Sequence, residues 1–257
     1  MHFQATTLSI LTTAALATVA AADCTRDALF AAANLYVEAQ AAGSVAGLQK
    51  LISASNFTYM ENNKAATLAS GLLTKALKLD HNRSIADTTQ CASYTELVST
   101  AGPYVIGTQI RFTPDASSIL SIDTIHATKG DWFFNAATTL SYVSKETWAP
   151  LDASQRSSRA AIQAAGDAYL DMWSNATAKA AVPWSSTCQR VEGSMHFSPC
   201  TLGAPNGGGT KNGMRRYVID EVLGSGDILC AFGGSMPDSH EFRLINGKLE
   251  LVHTITV

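Results

Sequence analysis

The 257-residue sequence predicts an α+β protein of two related halves, each a long helix packed on a curved antiparallel sheet. Three observations carry this. First, "RDALFAAANLYVEA" (26–39) and "RAAIQAAGDAYLDM" (159–172) are Ala-rich, with apolar residues at helical spacing. Second, "HEFRLINGKLELVH" (240–253) alternates about Asn246-Gly247, the dipeptide of a type I′ hairpin turn. Third, the two halves align in order. Arg26 matches Arg159, Tyr36 matches Tyr169, Glu61 matches Glu192, "IRF" (110–112) matches "FRL" (242–244), and "IDTIH" (122–126) matches "LELVH" (249–253). The offset drifts only from 133 (159 − 26) to 127 (249 − 122).

The chain opens with an apolar, Ala/Thr-rich run ending in Ala20-Ala21-Ala22. Residues 1–22 therefore read as a secretory signal peptide, too short and too small-residue-rich to span a membrane. The expected location is the secretory pathway or the extracellular space. The first domain is expected over 23–150, up to a Pro-containing polar boundary near "ETWAPLDASQRSS" (146–158). The second is expected over 155–257. Within the first copy, "AATLASGLLTKALKL" and "SIADTTQCASYTELV" read as insertions. Within the second, "APNGGGTKNG" reads as a surface loop. Charged residues are only 15% and the net charge is −3, so a packed core is expected. Nucleic acid and anionic membranes are not expected partners.

Five cysteines in an exported chain suggest disulfides, with Cys188–Cys200 favoured first, Cys24–Cys91 second, and Cys230 left as a buried thiol. Asn56, Asn82 and Asn175 head N-glycosylation sequons, which places them at the surface.

The strongest chemical candidates lie on the last hairpin. If Ile245 faces Lys248, then His240 faces His253, and both share the apolar face of Phe242, Leu244, Leu249 and Leu251. Such a pair suits proton transfer near neutral pH, or else forms a satisfied core pair. His126 takes the matching position in the first copy. Tyr169, Trp173 and Trp184 are candidate pocket-lining residues, with Tyr36 as the counterpart of Tyr169. Glu61 and Glu192 recur but fit capping or ion pairing better than catalysis. Asp80 and His81 adjoin the sequon at Asn82, which argues for an exposed turn. No HxH, HExxH or CxxC spacing offers a metal site, and no phosphate loop or nucleophile elbow is present. The expectation is therefore no metal and no cofactor.

The phrases "YLDMW", "RRYVIDEV" and "HEFRLINGKLELVHTITV" resemble the NTF2-like superfamily, the cone-shaped fold of ketosteroid isomerases, scytalone dehydratase and SnoaL-type cyclases. The resemblance implies tandem NTF2-like cones. "DHNRSIADTTQCASYTELVS", "PYVIGTQIRF", "IQAAGDAYLD" and "PDSHEFR" resemble a family of secreted fungal proteins of mostly unassigned function, similar to hetero-Diels–Alderases of tropolonic sesquiterpenoid biosynthesis. That resemblance implies a cofactor-free enzyme joining a tropolone ortho-quinone methide to a humulene-type sesquiterpene, with small apolar substrates as its partners. Two alternatives are a dehydratase, isomerase or cyclase acting on another small polyketide, and a non-catalytic secreted binding protein. The sequence sets no oligomeric state.

Overall fold

The computed structural model describes residues 24–52 and 55–257; the expected signal peptide lies outside the described residues. The first half comprises α1 (Arg26–Ala42), β1 (Thr58–Glu61), β2 (Lys64–Ala65), β3 (His81–Asp87), β4 (Ala92–Ser99), β5 (Tyr104–Phe112) and β6 (Ile119–Thr128). A connecting helix, α2 (Ala136–Val143), follows. The second half comprises α3 (Arg159–Asp171), β7 (Trp184–Glu192), β8 (Met195–Phe197), β9 (Gly213–Asp220), β10 (Ser225–Phe232), β11 (Met236–Ile245) and β12 (Lys248–Thr256). The sheets have the same strand order, β2-β1-β6-β5-β4-β3 and β8-β7-β12-β11-β10-β9.

Two expectations need correction. The sheets are mixed rather than antiparallel, because β1 runs parallel to β6 and β7 parallel to β12. The strand beside the last one is the first of its half, so no tight turn sets their relative direction. Nor is "SIADTTQCASYTELV" an insertion. It forms β3 and β4, and β9 and β10 are their counterparts in the second half.

Each long helix starts at a hydroxyl cap. Thr25 accepts from the Ala28 N–H at 3.2 Å, and Ser158 from the Ala161 N–H at 3.3 Å. Each then lays one apolar stripe on its own sheet, centred on the fully buried Tyr36 and Tyr169. The opposite sheet faces pack against each other. Val105, Ile125, Leu229 and Ile255 meet there, closed at one end by Ala136 and Val143 of α2.

A reciprocal pair of ion contacts joins the halves. Arg26 reaches Asp220 of the second half at 2.6 Å, and Arg159 reaches Asp87 of the first at 2.7 Å. Each aspartate also accepts a backbone N–H from the opposite edge strand, Asp220 from Ala86 and Asp87 from Ile219, both at 2.9 Å. The matched arginines of the sequence are therefore the two arms of one near-symmetric clasp, as in an isologous contact.

The hairpin turn is as expected, with φ of 52° at Asn246 and 71° at Gly247. Its register is not. Ile245 faces Lys248 and Leu244 faces Leu249, but then Arg243 faces Leu251, so Glu250 is an extra residue. Such a bulge moves every later side chain to the other face. His253 consequently pairs with Glu241, and His240 pairs with Thr254. The two histidines do not face each other and lie on opposite sides of the sheet. The first half carries the same irregularity between Phe112 and Arg111. With both bulges in place the closing strands align at an offset of 130 (252 − 122), because Ile122 faces Ile110 as Val252 faces Phe242. His126 then matches Thr256, and Asp123 matches His253.

Both expected disulfides form, Cys24–Cys91 and Cys188–Cys200, and Cys230 is a buried free thiol. The two bridges fit an oxidising compartment. No described helix is long and apolar enough to cross a membrane. Asn56, Asn82 and Asn175 are all exposed, as attachment of a glycan requires. The segment between the halves is packed rather than free: Leu151 is buried, and the Trp148 indole lies 3.6 Å under the Arg83 guanidinium.

Candidate functional site

The helix-covered face of the first half is filled. Leu72 and Leu73, on a short 3₁₀ turn, pack with Leu48, Tyr59 and Tyr36. Its recurrent acid is consumed internally. Glu61 accepts from the Tyr59 hydroxyl and the Leu72 N–H, and His126 lies 3.8 Å away. Burial alone would raise this carboxyl; the nearby His126 and the hydrogen bonds from Tyr59 and Leu72 outweigh it and hold Glu61 at about 2. His126 also stands edge-on to Tyr104, and its role is that of a half-buried partner to Glu61.

The second half differs at the same place. A cavity of about 280 Å³ opens there, lined by Trp132, Phe133, Trp173, Arg190, Glu192 and Phe197 among others. Glu192 ends β7, and Arg190 lies two residues earlier on the same face. Arg190 reaches Glu192 at 2.9 Å and donates to the Tyr169 hydroxyl at 3.2 Å, while that hydroxyl donates to Glu192 at 2.9 Å. Arg190 also donates to the Leu202 carbonyl at 2.9 Å. Glu192 Oε1 has no partner among the described residues. Burial, then the Glu192 charge, push the Tyr169 hydroxyl well above its ordinary range, so Tyr169 stays a neutral donor. The triad thus offers a fixed cation and a carboxylate with one buried, unpartnered oxygen beneath two indole faces.

Three devices hold this wall. The Trp132–Phe133 segment comes from the first half and is bolted to the β7–β8 turn. Ser194 N–H donates to the Phe133 carbonyl at 3.1 Å, and Asn135 N–H donates to the Ser194 hydroxyl at 2.6 Å. Gly193, at φ 58°, sits in that turn; a Cβ there would come within 2.9 Å of the Trp132 carbonyl. On the other side, Cys188–Cys200 ties the loop carrying Phe197 and Gly203 to β7. The bridge closes a 12-residue separation, for which loop entropy gives about 3 kcal/mol. Cys188→Ser with Cys200→Ser is expected to lower the denaturation midpoint accordingly and to weaken ligand binding in the cavity. Unchanged affinity would show that the loop holds its place without the bridge.

The sequence candidates distribute unevenly. Trp173 lines the cavity, and Tyr169 supports it from beneath. Trp184 packs edge-on against Tyr169 and directs its indole N–H to the Lys179 carbonyl, so it belongs to the core behind the cavity. His240 is fully buried one layer below, against Tyr169, Trp173, Phe232 and Phe242, and contacts Asp238. The Tyr36 hydroxyl shares a hydrogen bond with that of Thr108 at 2.7 Å inside the filled first half. Asp80 accepts from both N–H and hydroxyl of Thr100, which holds its carboxyl below the usual range, and His81 begins β3 beside Glu96 instead of lying in an exposed turn. Arg190, Trp132 and Phe133 were not among the sequence candidates.

His253 belongs to a different assembly. Between the sheets it lies 3.0 Å from Glu96 and 2.8 Å from Glu146, with Arg83 bridging Glu96 and Glu241 at 2.7 and 2.5 Å. Burial would depress the imidazole; Glu96 and then Glu146 outweigh it and raise it to about 10. Burial would raise Glu96; His253 and Arg83 instead hold it well below its ordinary value. The signs fix a pH profile. The histidine contribution is complete below its unfolded value of about 6.5 and is lost as pH rises through about 10. The Glu96 contribution is complete above about 4.5 and is lost as pH falls. Urea unfolding is expected to show greatest stability between these limits, with a higher midpoint at pH 5.5 than at pH 9.5. A midpoint that rises from pH 5.5 to 9.5 would contradict the charged imidazole.

Two other concavities have their acidic groups internally paired. One of about 390 Å³ beside Tyr142 and Lys145 has Glu146 committed to His253. One of about 250 Å³ between the halves has Asp123 paired with Arg216 at 2.6 Å. The indole-lined cavity is the site that joins apolar walls to converging polar groups.

Residues 155–256, which run from the turn before α3 to the end of β12, match a family described as a domain of unknown function (DUF8021). The match thus spans the half that holds the cavity. No curated protein matches the chain.

Proposed function

We propose that the second half is an NTF2-like cone whose mouth binds a planar, oxygen-bearing ring and performs cofactor-free acid/base and positioning chemistry on it in the secretory pathway. The observation that carries this is the Arg190–Glu192–Tyr169 triad at the base of an indole-lined cavity, with Glu192 Oε1 buried and unpartnered there. Trp132 and Trp173 stack on a ring, Arg190 polarises a carbonyl or enolate oxygen, and Glu192 exchanges a hydroxyl proton. The volume, about 280 Å³, is at the low end for ligand sites, so it holds one ring system. Exposed Phe133 and Met195 line the mouth and supply apolar surface for a larger hydrocarbon lying across it.

The resemblance to tropolonic hetero-Diels–Alderases fits this division. A hydroxymethyl tropolone would occupy the cavity. Glu192 would take the ring hydroxyl proton and return it to the departing hydroxyl, releasing water as the exocyclic C–O bond breaks. The ortho-quinone methide would then meet the alkene of a humulene-type sesquiterpene held at the rim, in a near-attack pose with water excluded. His240 is buried too deeply to touch substrate in this scheme, and His253 lies outside the site.

The test is incubation of the protein with a hydroxymethyl tropolone and a humulene-type alkene. The expected result is faster adduct formation than in buffer, with one stereoisomer in excess. Racemic product at the buffer rate would overturn the catalytic reading, and tight binding without turnover would make the protein a carrier.

A further inference from the structure

We infer that Cys230, Asp238 and His240 form a binding site for a zinc-class divalent ion inside the second half, one layer beneath the cavity. The three side chains project from adjacent strands. Cys230 on β10 faces Asp238 on β11, and His240 follows two residues later on the same face. A sulfur, a carboxylate oxygen and a ring nitrogen all lie within 4.8 Å of one another, and all three residues are fully buried. This N/O/S set suits zinc, and three protein ligands leave a fourth position open.

Two further observations point to a ligand. Neither ring nitrogen of His240 makes a hydrogen bond to the described residues, although Asp238 Oδ1 is in contact with Nδ1; that oxygen also lacks one. His240 Nε2 has no contact of that kind among the described residues and lies unpartnered in an apolar surround, the place a ligand would fill. Asp238 Oδ2 accepts from the Thr256 hydroxyl at 2.6 Å, which orients the carboxylate and leaves Oδ1 free, as outer-shell partners of metal ligands do. The first half supplies an independent contrast. The counterparts of Cys230, Asp238 and His240 are Leu97, Ile106 and Thr108, because Leu97 faces Ile106 as Cys230 faces Asp238. Three positions without ligating groups of this kind in one copy carry ligand types together in the other. Trp173, which lines the cavity, also packs edge-on to His240, so a bound ion would lie directly behind the cavity wall.

The experiment is titration of the chelator-treated, disulfide-intact protein with Co²⁺, followed by absorption. The expected result is one equivalent bound, with tetrahedral d–d bands and a thiolate-to-cobalt charge-transfer band, displaced by Zn²⁺. Four of the five cysteines are in disulfides, so a thiolate band can arise only from Cys230. Cys230→Ser is expected to remove the band, and Asp238→Asn to weaken binding at least tenfold. Absence of binding, or binding without the thiolate band in the wild-type protein, would overturn the site without reference to any variant.

Discussion

Truncating Arg83 to alanine is expected to destabilise the fold by about 3–5 kcal/mol, because it breaks a buried ion-pair network from its centre. Its guanidinium satisfies Glu96 and Glu241 at once, and both carboxylates are essentially inaccessible to water. Removal leaves two buried anions with one remaining cation, His253. The neighbouring Arg243 cannot take over. It directs its own donors to the Thr147 and Ala149 carbonyls of the segment between the halves. The Trp148 indole would also lose the cation it stacks on. The loss should be smaller when Glu241→Gln is added, because one of the stranded charges is then gone. Chemical denaturation of the single and double variants measures this. A loss below about 1 kcal/mol for the single variant would show that water reaches the network.

Glu192→Gln is expected to lower turnover by about 10²–10⁴-fold while keeping ring binding, with some loss of stability because the buried Arg190 is left without its anion. Glutamine keeps an acceptor for the Tyr169 hydroxyl and the shape of the β7 end. It cannot carry the proton assigned to the unpartnered oxygen. Trp173→Ala should act in the opposite sense, weakening binding by removing a stacking face. Arg190→Ala should impair both, because Arg190 also holds the Leu202 carbonyl next to Gly203, which lines the cavity. Steady-state kinetics of the three variants, with a thermal scan of each, separate these effects. Equal turnover in Glu192→Gln and wild type would remove Glu192 from the mechanism.

The duplication, the helices and the Cys188–Cys200 bridge were legible in the sequence because each rests on pattern along the chain: ordered matches, helical spacing and a short cysteine separation; Cys24–Cys91, 67 residues apart, was the second choice among the remaining cysteines. The last hairpin shows where that reading fails. Its turn was plain from Asn246-Gly247, but the extra residue at Glu250 leaves no mark in an alternating run, since Leu249 and Leu251 are both apolar. One bulge moved His253 from a supposed pocket to the interface between sheets. The same bulge in the first half cancels it in the alignment of the halves; His126 loses its supposed partner because the closing strands align at 130 (252 − 122) rather than 127 (249 − 122). The site was legible in part. Tyr169 was found from its helix and Trp173 from its residue type, while Glu192 was noted for its recurrence but read as a capping or ion-pairing residue. Arg190 stood two residues from Glu192 on the same strand face and could have been flagged by that spacing. Trp132 and Phe133 could not, because they reach the cavity from the other half by tertiary packing alone. The two recurrent glutamates also show how equal sequence positions diverge. Glu61 is held through Oε1 by Tyr59 and Leu72, whereas Arg190 stands in the place of Tyr59 and pairs with Glu192 through Oε2.

The second half is open to a ligand where the first is closed by its own side chains. A crystal structure of the protein soaked with tropolone tests this contrast most directly. The expected result is a ring between Trp132 and Trp173, with its oxygens toward Arg190 and Glu192, and nothing inside the first half. A ring bound against Tyr36 and Leu72, or in the groove beside Asp123 and Arg216 with the indole-lined cavity empty, would contradict it.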